Sequence, residues 1–163
     1  MEIAAPLALY RTEVRSEWVD YNGHMNVAYY VLAFDLATDA LFDFVGVGED
    51  YGKRTDHALF AVEAHLTYQR ELRAGDALRV TTQLLGFDDK RVHFAHRMFK
   101  TDDGGLAATS EWLALHVDRS TRRAAPLPPD IAALLAAVQE AHAALPTPPE
   151  VGRVMRLGAP RGA

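Results

Sequence analysis

Hydrophobic positions along the chain change period in an order that sketches a fold. From Leu9 to Val19 the residues alternate, Tyr10, Thr12 and Val14 against Arg11, Glu13 and Arg15, which is the period of two expected of a strand. From Val27 to Val45 the period lengthens. Val27, Tyr30, Val31, Phe34, Leu41, Phe42 and Val45 recur at helical spacing, and Gly46 and Gly48 are placed to end the element. The opposite side carries Tyr29, Ala33, Leu36, Ala40 and Phe44, so the polar surface narrows to a stripe of Asp35, Asp39 and Asp43. A helix apolar almost all round belongs in an interior, wrapped by something else.

The wrapping follows. Residues 57–69 alternate Phe60, Val62, Ala64, Leu66 and Tyr68 with Leu59, Ala61, Glu63, His65, Thr67 and Gln69, and Ala77–Leu85, Arg91–Phe99 and Leu106–Val117 are further strand-like runs. Their separators, Ala74-Gly75-Asp76, Asp88-Asp89-Lys90 and Asp102-Asp103-Gly104-Gly105, are turn chemistry suited to antiparallel hairpins. A closing amphipathic helix is expected from Pro129 to Leu145, with Asp130 in its first turn, where a negative charge complements the helix dipole. The Pro- and Gly-bearing segment 146–163 is expected to be a flexible tail, leaving one domain over residues 1–145. No internal repeat is present.

Composition narrows the function. A chain of 163 residues with 49% hydrophobic content suits one globular domain, and a net charge of -5 argues against a nucleic-acid or anionic-membrane partner, which would call for a basic field. Without cysteine there is no disulfide, thiol nucleophile or zinc-thiolate site. MEIAAPLALYR makes a poor signal peptide, and no window reaches the roughly 18 apolar residues of a membrane span. The expected location is cytoplasmic.

Chemistry concentrates at the helix entrance, VDYNGHMN, residues 19–26. Asp20 is its only acid. Gly23 lets the backbone turn into the helix, and the amides around Asn26 and Val27 sit at the positive end of the helix dipole, a ready oxyanion site. Asn22 and Asn26 can position water or cap the helix, and His24 can hydrogen-bond the loop or a substrate.

Asp20-Tyr21-Asn22-Gly23-His24-Met25-Asn26 resembles the D-x-N-G-H-x-N signature of the 4-hydroxybenzoyl-CoA thioesterase superfamily, and it lies between the first strand and the central helix, as that signature does. The resemblance implies an α+β hotdog fold, a curved antiparallel sheet wrapped around a long central helix, and hydrolysis of an acyl-CoA. EWVDYNGHMN, FAVEAHLTYQRELRAGD, HFAHRMF and LALHVDRSTRRAAPLP are more narrowly similar to the thioesterases of carnitine breakdown that act on betainyl-CoA, over about Val14 to Leu135. By the family's pattern Asp20 is the nucleophile or the general base. Coenzyme A would enter as part of the substrate, with no separate cofactor and no metal. Hotdog subunits generally pair sheet edge to sheet edge, which implies a homodimer or a larger assembly such as a tetramer of dimers.

Other candidates are less determined. Glu63 and His65 share a strand face and suit either an active-site wall or an exposed surface. His93 and His96 point to opposite faces, which disfavours a joint metal site. Asp35 is a second candidate acid. CoA phosphates call for basic residues, drawn from Arg70, Arg73, Lys90, Arg91, Arg119, Arg122 and Arg123. A betainyl ammonium calls for aromatic faces, and Trp18, Tyr21, Tyr29, Tyr30, Tyr68 and Trp112 are available. Two alternatives stay open, an enoyl-CoA hydratase or dehydratase of the same fold, whose motif resembles D-x-N-P-x-H, and a non-catalytic acyl-CoA-binding protein. A serine hydrolase is excluded, because Ser16, Ser110 and Ser120 lie outside any G-x-S-x-G.

Overall fold

The computed structural model describes residues 2–158. Strand β1 (Leu7–Glu13) leads through a 3-10 turn (Ser16–Trp18) into helix α1 (Val27–Val45), and a short helix α2 (Glu49–Thr55) precedes β2 (His57–Tyr68). Then follow β3 (Ala77–Phe87), β4 (Arg91–Lys100), β5 (Leu106–Asp118), the two-residue β6 (Arg123–Ala124) and helix α3 (Pro129–His142). The strands form one antiparallel sheet in the order β1-β3-β4-β5-β2, with β6 paired to β5.

The central helix forms where its apolar period lies. Asn26 caps its start with a side-chain oxygen that accepts from Ala28 N–H at 3.0 Å, and Gly46 ends it in the left-handed region at φ 86, its N–H turned back to Asp43 and Phe42 carbonyls. Tyr30, Ala33, Phe34, Ala37, Thr38, Leu41, Phe42 and Val45 are buried against the concave face of the sheet. The expectation of burial all round is corrected. The sheet curls past only one side, and Val27 stays 59% exposed with Leu32 also in water. The stripe of Asp35, Asp39 and Asp43 is solvated, as its spacing suggests. Partial burial, and then the neighbouring Asp35 and Asp43 carboxylates, raise the Asp39 carboxyl above its usual range.

One polar pin joins helix to sheet. His96 on β4 is fully buried between the hydroxyls of Thr38 on α1, 2.9 Å from Nε2, and Thr82 on β3, 2.8 Å from Nδ1. The Thr38 hydroxyl already donates to the Phe34 carbonyl, so Nε2 must carry the proton and Thr82 must donate to Nδ1. The ring is therefore neutral, and burial holds its pKa down to about 3. A second buried histidine, His142, accepts from Leu84 N–H through Nδ1 and donates through Nε2 to the Ala4 carbonyl. Leu84 sits where the β3–β4 register shifts, so the ring takes up an amide that the irregular ladder leaves over. Burial lowers this histidine's pKa as well.

Several expectations change. The strand assigned to Leu9–Val19 stops at Glu13, because the next residues bend to drive Trp18 into the core, where it stacks on Tyr29 with ring centroids 5.6 Å apart. Ala74-Gly75-Asp76 makes no hairpin. It folds onto the end of β1, Gly75 N–H donating to Val14 O at 2.8 Å, while β2 lies at the far edge beside β5. The separators at 88–90 and 102–105 do join neighbouring strands. Helix α3 ends at His142 rather than Leu145. The tail is anchored over its first part, with Pro148 buried and Gly152 N–H donating to Glu111 Oε2 at 2.7 Å, and residues 159–163 lie outside the described residues. No helix among the described residues is long and apolar enough to cross a membrane.

Two of the buried histidines, His96 and His142, give the fold an acid limit. A depressed folded pKa means that the unfolded chain binds more protons, so stability is complete above about pH 6.5 and is lost as pH falls from there toward about 3. Urea unfolding between about pH 7 and pH 4.5, above the range in which Asp88 and Asp118 with pKa about 2 act, should show a falling midpoint. In His96→Gln that slope should shrink while the variant is less stable throughout, and an unchanged slope would remove His96 as its cause.

Candidate active site

The loop before α1 is built by its own hydrogen bonds. Val19 and Met25 form an isolated antiparallel bridge, Asp20 N–H donates to His24 O at 3.0 Å, and Gly23 N–H donates to Asp20 O at 2.9 Å. Closing so small a ring puts Gly23 at φ 80, which an L side chain tolerates poorly. No heavy atom stands within 4 Å of where a Cβ would sit, so the demand there is dihedral and not spatial. Inside the turn, Asp20 Oδ1 accepts from Asn22 N–H at 2.9 Å, which fixes the carboxylate's direction and leaves Oδ2 unbonded among the described residues.

Two contacts dock this loop on the segment after β2. Met25 is buried and its N–H donates to Leu72 O at 2.7 Å, while His24 Nε2 lies 3.0 Å from Glu71 Oε2. His24 thus braces the loop. The amides at the helix start are then consumed almost completely. Asn26 N–H donates to Trp18 O, Ala28 N–H to the Asn26 side chain and Tyr29 N–H to Asn26 O. The expected pair of oxyanion donors reduces to one, since among the described residues Val27 N–H is the amide of this turn left without a partner.

Asp20, Asn22, His24, Val27 and Tyr30 line one cleft of about 610 Å³, closed on the other side by Tyr68–Glu71. Tyr30 donates its hydroxyl to Arg70 O at 3.0 Å and meets the Tyr68 ring edge-on, with centroids 5.4 Å apart. Burial pushes the Tyr30 phenol up to about 12, so it stays a neutral donor, and burial raises Tyr68 too. Arg70 is tied to Asp103 at 2.7 Å. The cleft therefore carries aromatic faces and two carboxylates, Asp20 and Glu71, against a cation that is already paired.

The structure separates the candidates. Asp20, Asn22, His24, Val27 and Tyr30 come together, and Gly23 and Asn26 shape the loop and helix cap around them. Trp18 does not join them, being 4% exposed and packed under Arg15 and against Tyr29, and Tyr21 stands 97% exposed outside the cleft. Glu63 and His65 lie on the sheet face turned away from α1, where their cross-strand partners are Leu113 and Glu111, so within this subunit they line no part of the cleft. Asp35 is solvated and outside it as well. His93 pairs with Glu111 at 2.7 Å, on the face opposite His96. Glu71 and Gln69 were missed, because they reach the loop across a long stretch of sequence and carry no local spacing that would mark them.

A curled antiparallel sheet enclosing one long helix defines the hotdog fold, here with an acid and an open amide at the helix entrance. The Thioesterase-like superfamily model matches residues 14–135, and the chain belongs to that superfamily and is a thioester hydrolase. It is 43% identical over 151 residues to the betainyl-CoA thioesterase of Pseudomonas aeruginosa, covering 93% of this chain and 95% of that one. It is 38% identical over 153 residues to the L-carnitine dehydrogenase/betainyl-CoA thioesterase of Rhizobium meliloti, covering 94% of this chain and 31% of that longer one. Among solved structures, a Staphylococcus aureus protein in complex with CoA superposes with a TM-score of 0.88 at 26% identity, covering 97% of this chain and 100% of that one.

The cap is testable apart from chemistry. Asn26→Ala should lower unfolding stability by about 1 kcal/mol in urea titration, through loss of the Ala28 hydrogen bond. A variant as stable as the parent would show that Asn26 does not cap the helix in solution.

Proposed function

We propose that the protein hydrolyses betainyl-CoA, with Asp20 as the general base and Val27 N–H as the oxyanion donor. The observation that carries this is that Asp20, its carboxylate oriented by Asn22 N–H, and Val27, whose amide is unpartnered among the described residues, line one cleft. A water held by Asp20 Oδ2 attacks the thioester carbonyl and gives its proton to the carboxylate. The C–O bond forms as the carbonyl oxygen gains charge opposite the helix start, where the amide and dipole favour it. The intermediate then expels the CoA thiolate, breaking the C–S bond, and the thiolate takes the proton back from Asp20. The products are the free betaine and CoA.

The acyl group is argued from the relatives and from the cleft. The Pseudomonas aeruginosa relative is a betainyl-CoA thioesterase, and the trimethylammonium of that substrate suits the Tyr30 and Tyr68 rings with Asp20 and Glu71 beside them. We place this activity in one domain over residues 1–145, in the cytoplasm. The assembly fits a homodimer or a tetramer of dimers, because edge strand β2 presents Phe60 at 50% and Val62 at 54% exposure, an apolar margin that a second sheet edge would cover.

Two experiments test the site. Asp20→Asn should lower kcat about 10²- to 10⁴-fold while the fold and binding of the CoA ester persist; turnover near that of the parent would sink the assignment. Tyr68→Leu should raise KM for betainyl-CoA about 5- to 30-fold, with little change for acetyl-CoA. An equal rise for both esters would place Tyr68 outside ammonium recognition.

A further inference from the structure

The other face of the sheet carries a feature that hydrolysis leaves unused. Leu78, Val80 and Thr82 of β3 and Phe94, His96 and Met98 of β4 are buried toward α1, so strand alternation turns Arg79, Thr81, Gln83, Ala95, Arg97 and Phe99 the opposite way. Residues 145–149 cross this face and Pro6 closes one end, enclosing a cleft of about 370 Å³. It shares no lining residue with the motif cleft.

Its charge is only partly compensated. The Arg79 guanidinium lies 5.2 Å and that of Arg97 5.4 Å from the centre of the Phe99 ring, so two cations gather at one aromatic ring. Among the described residues, neither makes an ion pair or donates a side-chain hydrogen bond, and Arg97 Nε is a buried atom with no partner. Among the described residues no carboxylate lines the cleft. Glu150 and Glu111 border a small gap that Arg97 also lines, but Glu111 is already engaged by His93 Nε2 and Gly152 N–H. Among the described residues, the one carboxylate without a partner near the two cations is therefore Glu150, whose Oε2 is buried. In a chain of net charge -5, partly buried guanidinium groups without acceptors point to a ligand that supplies them.

Two guanidinium forks offer more donors than one carboxylate can accept, and they match the several oxygens of a dianion. The Phe99 ring, Leu145 and the prolines of the roof form apolar walls around them, and Thr81 and Gln83 add polar groups. We infer that this cleft is a second ligand site, for a phosphate monoester with a compact aromatic or apolar body.

Phenyl phosphate, titrated calorimetrically, is the probe, with benzoate as the monoanionic comparison. The parent protein should bind one phenyl phosphate per chain, more weakly as salt rises, and Asp20→Asn should bind it equally well, since that residue belongs to the other cleft. The double variant Arg79→Gln, Arg97→Gln should bind at least tenfold more weakly while its thioester turnover stays that of the parent. Should that double variant fail to fold, Arg97→Lys decides, because it keeps the charge and loses the fork, and binding should weaken several-fold. No saturable binding, unchanged affinity in these arginine variants, or benzoate binding as tightly as phenyl phosphate would each overturn the inference.

Discussion

A helix of 19 residues with eight side chains withdrawn from water must be enclosed, and a flat sheet cannot enclose it. The sheet here bends because its ladders are irregular. Register shifts interrupt β1 between Leu7 and Tyr10, β2 between Ala61 and Glu63, and β3 between Leu84 and Gly86, and each adds local twist. Curvature lets Phe42 of the helix meet Phe94 of the sheet edge-on, with ring centroids 6.1 Å apart, and His96 fixes the axial position of the helix, since only one register aligns Thr38 with that ring. The buried apolar surface supplies most of the stabilisation, and the histidine pair of hydrogen bonds selects one arrangement among the many that would bury it.

Helix position then determines chemistry. Among the described residues, the capping arrangement of the turn that starts α1 takes up the amides of Asn26, Ala28 and Tyr29 and leaves Val27 N–H over, so the oxyanion donor proposed above needs no separate device. Asp20 is held by the amide of Asn22, two residues on, and the loop that holds both is tied to Leu72 and Glu71. Structural and functional readings of this loop are therefore not rivals. The hydrogen bonds that brace it are the ones that aim it.

Much of this was legible in the sequence. The α1 bounds, Val27–Val45, emerge as the apolar period places them, because nineteen residues of helical spacing ending in Gly46 admit few other readings. The local part of the site, Asp20 through Val27, was legible for the same reason, since its geometry is set by residues close in sequence. What failed was long-range. Alternation tells which residues share a face but not which strand lies beside which, so the turn at 74–76 reads as a hairpin, and Glu63 and His65 read equally as a site wall or an exposed face, of which this subunit shows the exposed face. Trp18 looked like a ligand-facing ring because nothing local shows that the chain bends to bury it. Helix α2 offers one buried residue, Tyr51, too little for a period, and Pro148 gains its burial from strands far away in the chain.

Strand β2 is made early and placed late. It follows α2 directly, yet among the described residues its one neighbour in the sheet is β5, with His57 opposite Asp118 and Tyr68 opposite Ala108. During synthesis it emerges with no partner in existence, while β3, β4 and β5 can zip through two short turns as soon as they appear. Closing so long a loop taxes the rate of folding more than the final stability. Loop closure therefore favours the β3–β4–β5 meander over either edge strand, since β1 reaches β3 across a still longer stretch of chain than β2 does β5, and the exposed Phe60 and Val62 lie on an edge that only such long-range pairing puts in place.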